Sequence, residues 1–327
     1  MTGQELIGHI GATLLDSIWQ CALIGLEAAT AMIGLRKARP QTRYAVACVH
    51  LLLCLLWPAV ELTARLAGGA AAASGSPVLL QMLPGATGDG AAGWQGFLQA
   101  HLAWVVGGWA ACAGALGLRM ALGLVWIGRA ARTQRTDAHW DARLTGMAAQ
   151  FGITGAVRLR VVEALASPVT AGWWRPVVLV PASLIAGMPP HLLEALLAHE
   201  LAHVRRHDYL VNLAQSVIES MLFYHPVVWW LSHRIRAERE LIADDIAARQ
   251  LGEPRRLALA LSELERLQFS TQHLAQAANG GDLMTRIKRL IRPDTQTSTW
   301  KAAIPVLAVA AACLAGCAQT SIGGQAP

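Results

Sequence analysis

Long apolar runs are the feature that most constrains this chain. Residues 9–35, 44–66 and 97–127 are almost uninterrupted hydrophobic sequence, and 301–318 forms a shorter fourth run. About 20 such residues cross a bilayer as a helix. Only 15% of the residues are charged, against about 25% in soluble domains. The first run is too long, and too closely followed by the second, for a cleaved leader. The sequence therefore predicts a multi-pass α-helical membrane protein.

Lysine and arginine set the expected orientation, because they favour the cytoplasmic side of a membrane. They crowd the link between the first two runs, the segment after the third, and the stretch before the fourth, which includes Arg286, whereas the Gly/Ala-rich loop 67–96 has none. We therefore expect a plasma-membrane protein with both termini external. The positions of these charges are those that a cytoplasmic-side preference predicts for a membrane protein. Membrane lipid is therefore the expected partner, and direct nucleic-acid binding is not expected. The expected parts are three transmembrane helices within 1–127 with the external loop 67–96, a cytoplasmic domain over 128–300, a fourth span over 301–318 and a short external tail over 319–327.

The segment 128–300 is long enough for one domain with its own core. Alternating apolar residues predict a strand over 157–163, and the stretch 167–185 predicts two short strands broken at Gly172 and Pro176. Helical patterns follow from Pro190 onward, since proline is tolerated in the first turn. Strands followed by helices indicate an α+β domain.

The stretch LLAHELAHVRRHD at 196–208 carries the chemistry. His199 and His203 are four residues apart on a predicted helix, so both imidazoles project from one face. That spacing lets two nitrogens bind one ion at about 2.0–2.1 Å. Glu200 follows the first histidine, and its carboxylate can reach a water on the metal as a general base. The alternative is a polar patch on an ordinary helix.

A third ligand must come from elsewhere in the chain. His207 is a poor candidate, because successive i+4 residues climb a straight helix by about 6 Å per step. Glu240 is the better candidate, with Asp244 one turn later to accept the N–H of a ligating histidine. Asp208 is either a polar residue at the end of the helix or a similar acceptor. The alternative for the Glu240 stretch is a solvated charged face.

These motifs resemble the membrane zinc metallopeptidases of the beta-lactam-sensor and methicillin-resistance antirepressor type. The resemblance rests on SPVTAGWWRPVVLVP, HELAHVRRHD and ERELIADD. The positions that match are Ser167, Pro168, Gly172, Pro176, Pro181, His199, Glu200, His203, Glu240 and Asp244.

The resemblance implies a cytoplasmic α+β zincin domain of gluzincin-like fold with one Zn²⁺ per chain. It implies a regulatory protease that cleaves a cytoplasmic repressor or itself in response to an envelope signal. It also implies that the strand near 176–181 is an edge to which substrate adds as a further strand. The residues of that expected edge strand are Pro176, Val177, Val178, Leu179 and Val180.

The sequence departs from the antibiotic sensors after the fourth apolar run. It ends at Pro327, so we expect neither a penicillin-binding sensor domain nor an S-x-x-K acylation motif. The end of that run reads Leu-Ala-Gly-Cys, which suggests lipidation of Cys317; the alternative is a closely packed helix of small residues.

Other readings stay open. A broad quality-control membrane zinc protease shares the same ligand logic, and a non-enzymatic membrane scaffold is a third hypothesis. We also consider a homodimer. The donor that stabilises the oxyanion is Tyr224, His225 or Arg234 by chemistry alone.

Overall fold

Helices dominate the part of the chain that the structure, a computed structural model, describes. That part comprises residues 2–68, 89–163, 165, 167–172, 175–269 and 280–292. The helices are α1 (Gly3–Gly34), α2 (Pro40–Leu66), α3 (Asp89–Thr133), α4 (Ala138–Gln150), α5 (Ala182–Gly187), α6 (Pro190–Arg206), α7 (Asp208–Met221), α8 (Pro226–Leu251), α9 (Pro254–Phe269) and α10 (Gly280–Ile291), and the strands are β1 (Arg158–Val162), β2 (Val169–Ala171) and β3 (Val177–Pro181).

Some expectations fall on residues outside that part. The fourth span, Cys317 and residues 69–88 of the external loop lie there. Residues 298–301 also lie outside it, and their sequence, STWK, matches the S-x-x-K pattern. The expected absence of an S-x-x-K motif is therefore wrong at the level of the sequence itself.

Among the described residues, three helices are long and apolar enough to cross a membrane, namely α1, α2 and the Ala100–Thr133 part of α3. They correspond to the first three predicted runs, although their direction across a bilayer stays a prediction. Helix α3 begins at Asp89 rather than near residue 97. Alanine favours a helix and glycine weakens one without ending it, and no proline follows Pro84 before the apolar run begins.

One compact unit comprises the described residues of Met1–Leu118 and Val217–Ile235. Within it, Arg65 of α2 donates to Asp16 of α1 at 2.6 Å and also contacts Glu61. Asp16 and Arg65 are both buried. A buried charge is costly unless it is paired, so the two helices that carry these residues are tied together by an internal ion pair.

The second unit, Arg119–Ser216 and Arg236–Gln296, contains a three-stranded sheet in the order β1-β3-β2. β3 pairs with β1 in parallel and with β2 antiparallel. β3 is therefore the central strand, and the expectation that it forms an edge is wrong. The edge strands are β1 and β2, because β3 pairs with β1 on one side and with β2 on the other.

The core of this unit lies between the sheet and α6. Val178 and Val180 of β3 face the main cluster, and Leu179 faces a smaller cluster with Val162 on the other side. Alternate residues of a strand point to opposite faces, so both faces of β3 are covered. Helix α6 contributes its leucines and alanines to the same cluster; these are Leu192, Leu193, Ala195, Leu196, Leu197, Ala198, Leu201 and Ala202.

Gly172 permits the tight connection from β2 to β3. Its φ is +86°, and a Cβ at this position would lie 2.7 Å from the carbonyl oxygen of Arg175. Gly152 also has a positive φ, of +71°, but a Cβ there would meet nothing within 4 Å. A side chain at Gly152 would therefore meet only backbone strain, whereas a side chain at Gly172 would meet both backbone strain and a steric clash.

We predict that Gly172→Ala lowers the thermal unfolding midpoint of the full-length protein in detergent more than Gly152→Ala does. Gly152→Ala should cost only the left-handed backbone penalty, about 1–2 kcal/mol. Gly172→Ala adds the clash with Arg175. The midpoints are measured by circular dichroism. Equal midpoints for the two variants would contradict this account of the turn.

Candidate metal centre

Helix α6 presents two histidines toward one point. Pro190 occupies its first turn, where the missing N–H is harmless, and its apolar face is buried in the core. The Nε2 atoms of His199 and His203 are 3.1 Å apart, and their rings meet edge to face. The i, i+4 spacing therefore brings two nitrogen donors together as the sequence predicts.

Glu240 of α8 completes a group of three donors. Its Oε2 lies 3.3 Å from Nε2 of His199, and its Oε1 lies 3.7 Å from Nε2 of His203. One atom from each of the three residues lies within 4.8 Å of the others, and this is the group of metal-ligand type found among the described residues. The charged stretch around Glu240 thus includes a residue that faces the histidines.

The donor separations fit a small tetrahedral cation. Bonds of about 2.0–2.1 Å at tetrahedral angles place donors about 3.3–3.4 Å apart, and the three separations here are 3.1, 3.3 and 3.7 Å. Two nitrogen lone pairs and one carboxylate are also the donor types that such a cation takes. The residues present therefore fit a divalent metal.

A sharp turn brings Asp208 to the back of His203. His207 ends α6 with φ 56° and ψ 36°, and it is the non-glycine residue with positive φ among those described. Asp208 Oδ2 consequently lies 2.7 Å from Nδ1 of His203. Five residues along a continuous helix would place the two side chains on different faces. The left-handed turn therefore positions this carboxylate.

Asp244 plays the corresponding part for His199. Its Oδ1 lies 3.0 Å from Nδ1 of His199, close in distance although poorly aligned for a hydrogen bond. The same carboxylate accepts two bonds from Arg286, Nε to Oδ2 at 2.7 Å and Nη2 to Oδ1 at 2.8 Å. With a carboxylate at each Nδ1, both Nε2 atoms are left to face Glu240.

These contacts shift the pKa values in the metal-free protein. Burial alone would lower the pKa of His199, but Asp244 and Glu240 outweigh it and raise the pKa to about 10. Burial would raise the pKa of Asp244, yet Arg286 and His199 bring it down to about 2. Burial would also raise the pKa of Glu240, which His199, His203 and Arg286 instead lower. The lowered pKa values therefore keep Glu240 and Asp244 ionised.

Glu200 faces an open cleft of about 400 Å³ whose wall includes His199, His203 and Glu240. Its Oε2 accepts a hydrogen bond of 2.6 Å from the Thr170 hydroxyl. Thr170 belongs to the edge strand β2 and lines the same cleft. The edge strand beside the candidate metal centre is therefore β2.

The remaining predicted residues lie elsewhere. Pro176 to Val180 fall at or within the central strand β3. His207 lines a second cavity rather than this cleft. In the other unit, the Tyr224 hydroxyl is 2.7 Å from Ser17 Oγ, and His225 Nε2 is 3.0 Å from the carbonyl oxygen of Ile18. Arg234 is exposed, and the three oxyanion donors stay predictions.

Two residues of the site were missed in the sequence. Thr170 could have been found only with the strand order known. Arg286 was counted among the charges that set membrane orientation, although its side chain is 16% exposed and contacts Asp244 and Glu240. Its bonds span 42 residues, so no local pattern signals them.

Comparison with known proteins bears on this site. The family model described as BlaR1 peptidase M56 matches residues 85–289, which is more than half of the chain. The regulatory protein BlaR1 of Bacillus licheniformis is 27% identical over 164 residues, covering 48% of this chain and 27% of that protein. The chain thus matches about a quarter of the length of this curated relative.

The matched range contains the three ligand-type residues, the glutamate beside them and both outer aspartates. The family that the motifs predicted is therefore confirmed, and the chain belongs to the BlaR1 peptidase M56 family of membrane metallopeptidases.

Proposed function

We propose that this protein is a zinc endopeptidase with His199, His203 and Glu240 as metal ligands. The observation that carries the proposal is the convergence of three donor atoms within 4.8 Å, at the wall of an open cleft. Three protein ligands with a free fourth position are typical of catalytic zinc. Membership of a peptidase family supports hydrolysis of a peptide bond as the reaction.

Glu200 is the proposed general base. One carboxylate oxygen takes a proton from the attacking water and then delivers it to the nitrogen of the leaving amine. Thr170 holds the other oxygen and so fixes the plane of the carboxylate. A bound zinc ion would lower the pKa of water and polarise the scissile carbonyl. Asp208 and Asp244 keep the two imidazoles oriented from behind.

Strand β2 is the proposed docking edge for the substrate. It has one paired side, toward β3, and Thr170 places it against Glu200. A peptide that adds to a free edge gains main-chain hydrogen bonds without a requirement for sequence. Extended substrate beside β2 would therefore lie along the cleft that contains the metal ligands.

The proposed role is regulatory. The apolar helices support attachment to a membrane, and we propose the inner membrane of a bacterium with 128–300 in the cytoplasm. A matched relative is named as a regulatory protein, which favours a defined protein substrate over broad degradation. We propose a cytoplasmic transcriptional repressor, or the chain itself, as that substrate.

Glu200→Gln should retain zinc and lose cleavage, because an amide keeps the size of the side chain but cannot accept the proton. The measurement is mapping of new protein N-termini in cells that carry the wild type or the variant. Glu263→Gln, at an exposed ion pair with Arg266, is the matched control and should leave the pattern unchanged. New N-termini that persist in Glu200→Gln would contradict the assigned role.

Glu240→Ala should remove most of the zinc from the purified full-length protein, measured by metal analysis. Asp244→Ala should weaken binding by about 10–100-fold. His207→Gly is the control, because glycine adopts the positive φ of this position without strain, and it should keep the metal. Loss of zinc from His207→Gly with retention by Glu240→Ala would overturn the ligand set.

Zinc affinity should rise with pH from about 6.5 toward 10. A raised pKa means that His199 keeps its proton across this window, from its ordinary 6.5 to about 10. The proton and zinc compete for the same imidazole, so apparent affinity gains about tenfold per pH unit. Protonation of His199 also stabilises the metal-free folded state against unfolding. This contribution to the free energy of unfolding is fully present below pH 6.5 and is lost as the pH rises through about 10. A pH-independent affinity in chelator competition would contradict this expectation.

A further inference from the structure

Arg286 of α10 reaches two of the carboxylates at the metal centre. Its Nε and Nη2 atoms donate to the two oxygens of Asp244 at 2.7 and 2.8 Å. Its Nη1 atom lies 3.3 Å from Oε2 of Glu240. One guanidinium group thus contacts both the proposed ligand from α8 and the carboxylate behind His199.

The two bonds to Asp244 fix an orientation as well as a charge. A guanidinium that donates to both oxygens sets the plane of the carboxylate, which a point charge does not. Asp244 Oδ1 is also the atom 3.0 Å from Nδ1 of His199. The plane set by Arg286 therefore decides where this oxygen stands behind the imidazole.

Burial makes this arrangement depend on Arg286. The Asp244 side chain is 1% exposed and that of Arg286 is 16% exposed. Removing one member of a buried pair leaves the other charge without its partner and without water. Asp244 would then turn toward other donors or solvent, and its position behind His199 would be lost.

We propose that Arg286 is a positioning residue that holds Asp244 and Glu240 in the arrangement that binds metal. This inference rests on the proposed zinc site and deepens it. Arg286 acts through the two carboxylates and not on the reacting atoms. Its loss should therefore weaken metal binding, while the KM for substrate of the zinc-saturated protein stays near the wild-type value.

A second arginine on α10 provides a matched control. Arg289 donates to Asp245 at 2.8 Å, and Asp245 is 28% exposed. The apolar face of α10, with Leu283, Ile287 and Leu290, packs against the core independently of both arginines. Arg289 therefore helps to attach the same helix to α8, but at the aspartate next to Asp244 instead of Asp244 itself.

Charge and positioning predict opposite signs at Arg286. If the guanidinium mattered only as a positive charge near the cation, Arg286→Gln would raise metal affinity by removing repulsion. If it holds the carboxylates, affinity should fall in the order wild type, Arg286→Lys, Arg286→Gln. Lysine keeps the charge but lacks the planar fork, so it should restore only part of the binding.

The experiment measures Zn²⁺ affinity of the full-length protein in detergent by chelator competition, and the visible absorption of its Co²⁺ form. Arg286→Gln should weaken Zn²⁺ by about 10–100-fold and change the Co²⁺ spectrum, which reports ligand geometry. Arg289→Gln should change affinity by no more than about twofold, as expected for a partly exposed pair, with the wild-type spectrum.

The following outcomes decide the proposal. Equal losses in Arg286→Gln and Arg289→Gln would mean that helix attachment alone is at work, and unchanged or tighter binding in Arg286→Gln would also overturn it. Wild-type protein that binds no Zn²⁺ would instead remove the proposed function. If Arg286→Gln does not fold, the Asp244→Asn/Arg286→Gln double variant removes both buried charges. Affinity equal to or below that of Asp244→Asn alone supports action through the carboxylates of Asp244 and Glu240, and affinity above it contradicts the proposal.

Discussion

The candidate metal centre depends on the carboxylates that contact the Nδ1 atoms of its two imidazoles. A histidine directs a lone pair at a cation only when its other nitrogen carries a proton and has an acceptor. Asp208 stands 2.7 Å behind His203, and Asp244 stands 3.0 Å behind His199. The first contact needs a left-handed turn and the second needs a different helix. The convergence of the two Nε2 atoms is thus a property of the whole domain.

Local features of the fold could be predicted from the sequence. The spacing of His199 and His203 fixes their common face because helix geometry is regular. Alternating apolar residues located β1, the breaks at Gly172 and Pro176 located β2 and β3, and a proline marked the start of α6. Glu240 and Asp244 were placed on one helix face by the same regularity. Each of these inferences uses neighbours within about one turn or one strand.

Strand order and long-range ion pairs could not be predicted in this way. The continuous apolar run in 177–181 indicates that both faces of β3 are covered, but it does not say which strands lie beside it. The substrate edge was therefore assigned to β3, although β3 is the central strand and β1 and β2 are the edges of the described sheet. Arg286 was assigned to membrane orientation, because a charge has no sequence signature for a partner 42 residues away. Both errors concern tertiary placement.

The charges around the cleft would favour the exchange of a proton for a cation at the proposed metal site. Four carboxylates, those of Glu200, Asp208, Glu240 and Asp244, face three guanidinium groups, those of Arg206, Arg239 and Arg286. The excess is negative, and a low local dielectric magnifies it. Without a metal, His199 meets it by holding a proton, so its pKa rises. A divalent cation can replace that proton only if the carboxylates stay in place when it leaves. The positive charge of Arg286 would repel a bound cation. We therefore attribute its position beside Glu240 to its proposed role, which is to hold the carboxylates of Asp244 and Glu240 in place.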